Sequence, residues 1–188
     1  MITGSCVRQR WADLWRTRPE TPTVRLRDKP VLVDTNVILE AHLTGCWDAL
    51  AGGYNLETVE KCIEETQTGN QLRERKVEID ERALRASLTV NEVDEDEVLV
   101  LRLYGGSSVH DGELHLWTHA LAREDAWIFC GPDGGSMRLG HRQGHGARIV
   151  HLEGLLHEIV LKLPRSAGQH FGRRWHEKFM TDLALGLI

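Results

Sequence analysis

The residues of this chain best placed to do chemistry are carboxylates at element boundaries. Asp34 ends the apolar run Pro30-Val31-Leu32-Val33, and Thr35 and Asn36 separate it from apolar residues that continue at helical spacing. Asp133 stands just past a second such run, Ala126-Trp127-Ile128-Phe129-Cys130. Glu60, Glu64 and Glu65 lie on an intervening helical stretch, and Asp111 and Glu113 open another. In a parallel sheet the strand ends share one edge, helix starts face it, and ligands bind there. Three or four carboxylates gathered at that edge repel one another unless a cation sits among them. Hard oxygen donors suit Mg²⁺ or Mn²⁺. Such ions can activate water and stabilise an in-line displacement at phosphorus. A structural role competes with this one. Asp is among the commonest helix N-caps, and Asp34 or Thr35 could cap the helix that follows.

The elements that must position these groups can be read in order. A short buried strand at 30–34 opens into a helix expected from Asn36 to Leu50, closed by Gly52-Gly53. Tyr54 to Thr58 reads as a strand and Val59 to Thr68 as a helix stopped by Gly69-Asn70. Residues 71–86 are polar with a weak helical pattern, an arm or insertion, and Ser87 to Val90 has strand character. Asp94-Glu95-Asp96-Glu97 then opens a helix whose macrodipole these charges complement, which explains the acidic run without a metal. After Gly105-Gly106, Ser108 and Asp111 have capping-box spacing ahead of a helix through Ala122. The strand before Asp133 leads to a short helix from Ser136 to Leu139, a loop at 141–146 and a strand at 148–151. Helices at 153–163 and 169–187, parted by Pro164, complete the chain. Alternating strands and helices predict an α/β domain with a mainly parallel sheet.

Composition narrows the function classes. The 188 residues carry a net charge of −5, so the chain as a whole is not a polycation built to coat nucleic acid. A hydrophobic fraction of 41% is enough for a real core. The charge is uneven: residues 1–30 hold seven Arg and Lys against three acids, whereas 91–97 is strongly acidic. Trp11, Leu14 and Trp15, flanked by Arg8, Arg10 and Arg16, predict an amphipathic helix that packs its aromatic face or tracks nucleic acid. The four cysteines, at 6, 46, 62 and 130, form no CxxC pair and read as reduced core thiols of a cytoplasmic protein. No apolar leader and no run of membrane-spanning length is visible, so no membrane is expected as a partner.

Taken together, Val33-Asp34-Thr35-Asn36-Val37, the acidic helix ending Glu64-Glu65-Thr66, Asp111-Gly112-Glu113 and Cys130-Gly131-Pro132-Asp133 resemble the PIN-domain family. The resemblance covers about residues 30–151. It leaves a basic arm at 1–29 and a helical extension at 152–188 outside it, with 70–98 as a long insertion. It implies a three-layer α/β/α sandwich with a mainly parallel central sheet, and a metal-dependent ribonuclease using Mg²⁺ or Mn²⁺. By resemblance Asp34 is the first metal-site acid, with Thr35 or Asn36 orienting it or holding substrate. Glu65 is the second acid, with Glu64 and Glu60 behind it, and Asp133 is the fourth. The third is Asp111 or Glu113: the capping-box spacing favours Asp111, and the family pattern of an acid followed seven positions on by an alanine favours Glu113 with Ala120. Gly131 departs from the Thr or Ser usual two positions before the last acid. The resemblance also implies an RNA substrate, a homodimer and an inhibitory protein partner as expectations.

Other chemistries have less support. No Ser/His/Asp arrangement or nucleophile elbow is present, and neither a P-loop nor a dinucleotide fingerprint occurs. An aspartyl-phosphate enzyme would carry a second Asp where Asn36 stands. His115 and His119, like His141 and His145, are four apart, but the first pair lacks the Glu of H-E-x-x-H and the second lies among glycines. Arg173-Arg174-Trp175-His176 reads as the solvated face of a packing helix or a phosphate contact. The reading from a different class keeps the fold and lets the acids only cap and pair. It describes a non-catalytic protein that binds nucleic acid or acts as a toxin–antitoxin-like partner.

Overall fold

The computed structural model describes residues 26–68, 77–106 and 109–188. Five short strands form one parallel sheet in the order β3-β2-β1-β4-β5. They are β1 (Val31–Val33), β2 (Leu56–Val59), β3 (Thr89–Asn91), β4 (Ile128–Cys130) and β5 (Ile149–Val150). Between and after them run α1 (Thr35–Leu43), α2 (Trp47–Gly53), α3 (Glu60–Gln67), α4 (Glu81–Ser87) and α5 (Glu95–Leu101). Then follow α6 (Asp111–Leu121), α7 (Gly134–Arg142), α8 (Leu152–Glu158) and α9 (Arg173–Ala184).

The central strand explains the layering. Every residue of β1 is buried, which is why the run is apolar without alternation. Successive side chains still point to opposite faces. Val31 and Val33 join a core with α1, α2, α4 and α8, and Leu32 joins a second core with α5, α6 and α7. The sheet therefore lies between two helical layers, as an α/β/α sandwich. In the second core the Trp117 ring stacks on Phe129 at 4.2 Å, and its Nε1 donates to Ser136 Oγ at 2.7 Å.

Strand order decides where a ligand can sit. From β1 the chain winds outward through β2 to β3, then returns to β4 on the other side of β1 and continues to β5. The order reverses between β1 and β4, and the carboxyl ends of those two strands frame the crevice in which open α/β sheets bind ligands. Val33 pairs with Cys130 in register, and the Asp34 N–H donates to the Cys130 carbonyl at 3.3 Å. The chain leaves both strands at the same level.

Several boundaries differ from the sequence expectations. The helix expected from Asn36 to Leu50 is two helices, broken at Gly45, whose φ of 72° lies in the left-handed region. The apolar pattern runs through this break and hides it. The short helix expected at 136–139 extends over Gly134–Arg142, so His141 and Arg142 are helical rather than in a loop. Its internal Gly140 is not a helix breaker but a clearance. A Cβ there would lie 2.3 Å from the Trp117 ring. The helix expected at 153–163 stops at Glu158, and α9 covers only Arg173–Ala184 of the expected 169–187. Leu152, Leu155, Leu156 and Phe171, from the segment expected as an extension, are buried in the same core as β1. The Tyr54 hydroxyl donates to the Leu155 carbonyl at 2.7 Å and ties that segment to the start of β2. The helix expected at 6–17, Cys6 and most of the basic arm lie outside the described residues. Cys46, Cys62 and Cys130 are buried free thiols, as expected. Among the described residues, no helix is long and apolar enough to cross a membrane.

Candidate metal centre

Asp34 sits at the carboxyl end of β1, fully buried, and caps α1: its Oδ1 accepts from the Val37 N–H at 2.7 Å. The capping role is therefore real, but it involves one carboxylate oxygen, and the surroundings of Asp34 go beyond a cap. Asp133 does the same for α7, accepting from the Ser136 N–H at 2.9 Å. Both caps hold their carboxylates at the switch point. Gly131 lies between them for a steric reason: a Cβ there would come within 2.7 Å of the Phe129 ring and 3.0 Å of Asp34 Oδ2. The departure from Thr or Ser at this position therefore matches the close approach of Asp34.

The first turn of α6 brings the third acid. Glu113 is buried, with 4% of its surface exposed, and Asn36 Nδ2 donates to its Oε1 at 3.4 Å. Its Oε2 is buried and, among the described residues, accepts no hydrogen bond of ordinary geometry. His110 Nδ1 lies 3.7 Å from that oxygen, longer than a hydrogen bond. Ligand atoms of His110, Glu113 and Asp133 all lie within 4.8 Å of one another. Burial first, then the charges of Asp34, Asp133 and Glu65, push the Glu113 carboxyl well above its ordinary range. A buried acid among three others is what a cation would relieve. The oxygen-rich donor set and the unused Glu113 oxygen fit Mg²⁺ or Mn²⁺.

The remaining predicted residues divide. Glu65 stands at the rim. Its Oε2 accepts from Thr35 Oγ1 at 2.7 Å and its Oε1 from the Gly112 N–H at 2.9 Å. It thereby clamps the start of α1 to the start of α6 and meets an N–H that a helix terminus leaves unused. Gly112 makes this possible, since a Cβ there would sit 2.3 Å from Glu65 Oε2. Asp111 faces away. It is exposed and pairs with Arg102 at 2.7 Å, which holds its carboxyl below the ordinary range. The helix cap is His110, whose own side chain makes no cap bond, and Ser108 lies outside the described residues. Glu60 is drawn to Arg85, and Glu64 to Lys61 at 3.0 Å. Thr35 and Asn36 contact Glu65 and Glu113, so here they position acids.

Sequence reasoning missed His110. The signal was its place three residues before Glu113, a spacing that puts two side chains on one side of a helix start. Histidine pairs four apart drew the attention instead. Those pairs do not assemble: His115 faces Glu95 at 3.8 Å and His119 faces Glu57 at 3.7 Å, while His145 lies against the Trp127 ring. Trp175 of the expected basic face stacks on Phe179, 5.0 Å between centroids, and packs against the second core. Compared with known proteins, the chain matches no protein-family model, no curated protein and no solved structure.

Proposed function

We propose that this chain is a metal-dependent nuclease of the PIN-domain type that hydrolyses phosphodiester bonds in RNA in the cytoplasm. The observation that carries the reading is the buried Glu113 carboxylate. Among the described residues its Oε2 accepts no hydrogen bond of ordinary geometry, and the residue sits with Asp34 and Asp133 where the strand order reverses. Asp34, Glu113 and Asp133 would hold Mg²⁺ or Mn²⁺, with Glu65 at the edge of the site. A bound ion of this kind lowers the pKa of water and offsets charge developing at phosphorus.

The chain's own residues prepare the site. The caps of α1 and α7 each engage one oxygen of Asp34 and Asp133 and hold both carboxylates in place. Asn36 steadies one oxygen of Glu113, and the other lies 3.7 Å from His110 Nδ1. Thr35 and the Gly112 N–H hold Glu65, so α1 and α6 keep a fixed separation. Cations flank these acids. Arg102 pairs with Asp111 at the start of α6, and Lys61 lies on α3 beside Glu64. Arg138 Nη1 would be 3.4 Å from a Cβ at Gly134, next to Asp133. These cations offer contacts to a phosphate backbone although the net charge of the chain is negative.

The test is cleavage of labelled single-stranded RNA, structured RNA and single-stranded DNA by wild type and Asp34→Asn, with Mn²⁺, with Mg²⁺ and with EDTA. Asn caps a helix about as well as Asp, so the variant should fold. The expected result is metal-dependent cutting of RNA, absent in Asp34→Asn and in EDTA. Retained RNA binding with no cutting by either protein would move the assignment to a non-catalytic binding protein.

A further inference from the structure

His110 belongs to no catalytic pattern read from the sequence, and its position is unusual for an exposed residue. It occupies the N-cap of α6 with extended backbone, φ −69° and ψ 160°, yet its side chain makes no cap bond. The side chain is 79% exposed, so packing does not hold it. Its Nδ1 nevertheless lies 3.7 Å from Glu113 Oε2, a buried oxygen that accepts no hydrogen bond of ordinary geometry among the described residues. Two donors on one ion at about 2.1 Å lie roughly 3–4.2 Å apart, so this separation is that of neighbouring ligands rather than of a hydrogen bond. Asp133 completes the group, with all three ligand atoms within 4.8 Å.

Resting on the metal-site reading above, we propose that His110 is a nitrogen ligand to the ion held by Glu113 and Asp133, so that the site takes Mn²⁺ in preference to Mg²⁺. The physical reason is donor chemistry. Mg²⁺ demands oxygen ligands and keeps much of its water, whereas imidazole suits first-row transition ions. Three oxygen ligands alone would leave the choice open. One imidazole added to the carboxylates biases it toward the ion that accepts nitrogen. Because α6 begins at Asp111, His110 stands on the loop side of the site and can swing onto the ion without disturbing the helix.

The experiment uses the full chain, wild type and His110→Gln, titrated with Mn²⁺ alone and then with Mg²⁺ as competitor. Bound and free Mn²⁺ are counted by electron paramagnetic resonance, and the bound ion is examined for electron spin echo modulation from a directly attached nitrogen. Glutamine keeps polar reach without an imidazole, and the exposure of the side chain protects the fold. We expect nitrogen modulation in wild type and none in His110→Gln. Affinity for Mn²⁺ should fall about tenfold or more, as metal sites lose when a supporting group is removed, while the competing Mg²⁺ changes little. Mn²⁺ bound without nitrogen modulation, or with modulation that persists in His110→Gln, overturns the inference and leaves the metal site standing. No Mn²⁺ bound by either protein overturns both.

Discussion

Two glutamates of this protein are almost equally buried and live in opposite electrostatic worlds. Glu57, on β2, has 8% of its surface exposed, and Glu113, on α6, has 4%. Around Glu57 the chain supplies His119 at 3.7 Å, Arg123 in direct contact and Asn91 Nδ2 at 3.4 Å. His119 and Arg123 hold its carboxyl below the ordinary range against the cost of burial. At Glu113 burial acts first, the chain adds Asp34, Asp133 and Glu65 around it, and its carboxyl is pushed the other way. A buried charge is costly unless paired and hydrogen-bonded. The Glu57 site meets that cost within the chain. The Glu113 site does not, and folds with like charges gathered at the sheet edge. Local stability given up at one place is the usual mark of a functional site.

The contrast can be broken most sharply at Glu113. Glu113→Gln should lower metal-dependent RNA cleavage at least about a hundredfold. Its thermal unfolding in EDTA should be unchanged or shifted upward, because an acid held above its ordinary pKa costs stability at neutral pH and the amide does not. Joint loss of activity and of fold would place Glu113 with Glu57 as a structural acid. The reciprocal change, Glu57→Gln, leaves Arg123 with only Asp125, 2.7 Å away, among its carboxylate partners. It should cost about 3 kcal/mol, the low end for a broken buried pair, and lower Tm by roughly 5–10 °C, with cleavage per folded molecule retained.

Acid titration sharpens the same comparison. The folded-state pKa of Glu57 lies below the unfolded value near 4.5, so its contribution is fully present above that pH. It is lost as pH falls through the lowered folded value. Chemical denaturation between pH 6 and pH 3 should show wild-type stability falling more steeply on the acid side than that of Glu57→Gln. The smallest effect is expected at Asp111. It is exposed and, among the described residues, ion-paired with Arg102, so Asp111→Asn should change stability by less than about 1 kcal/mol. It should also leave Mn²⁺ affinity, measured by isothermal titration calorimetry, nearly unchanged. A large loss of Mn²⁺ affinity would return Asp111 to the site in place of Glu113.

The sequence by itself determined the frame. Apolar runs ending in Asp34 and Asp133 predicted two buried strands with acids at their carboxyl ends, and alternation with helices predicted the parallel sheet. Burial on both faces leaves a strand no alternative to an apolar run, so those signals were strong. Helix lengths were less legible. A glycine does not state its role: the expected helix ran through Gly45, which bends the chain, and stopped before Gly140, which only makes room for a ring. Which acids converge was decided only by tertiary structure. Asp111 and Glu113 are two residues apart on a helix, so their side chains point roughly 200° apart. One faces the sheet edge, and the other faces Arg102. Glu60, Glu64 and Glu65 separate in the same way, toward Arg85, Lys61 and Thr35. A sequence states that a carboxylate is present. The direction of its side chain depends on how the helix is rotated against the sheet, and that rotation is fixed by the packing of residues such as Leu114 and Trp117 in the core.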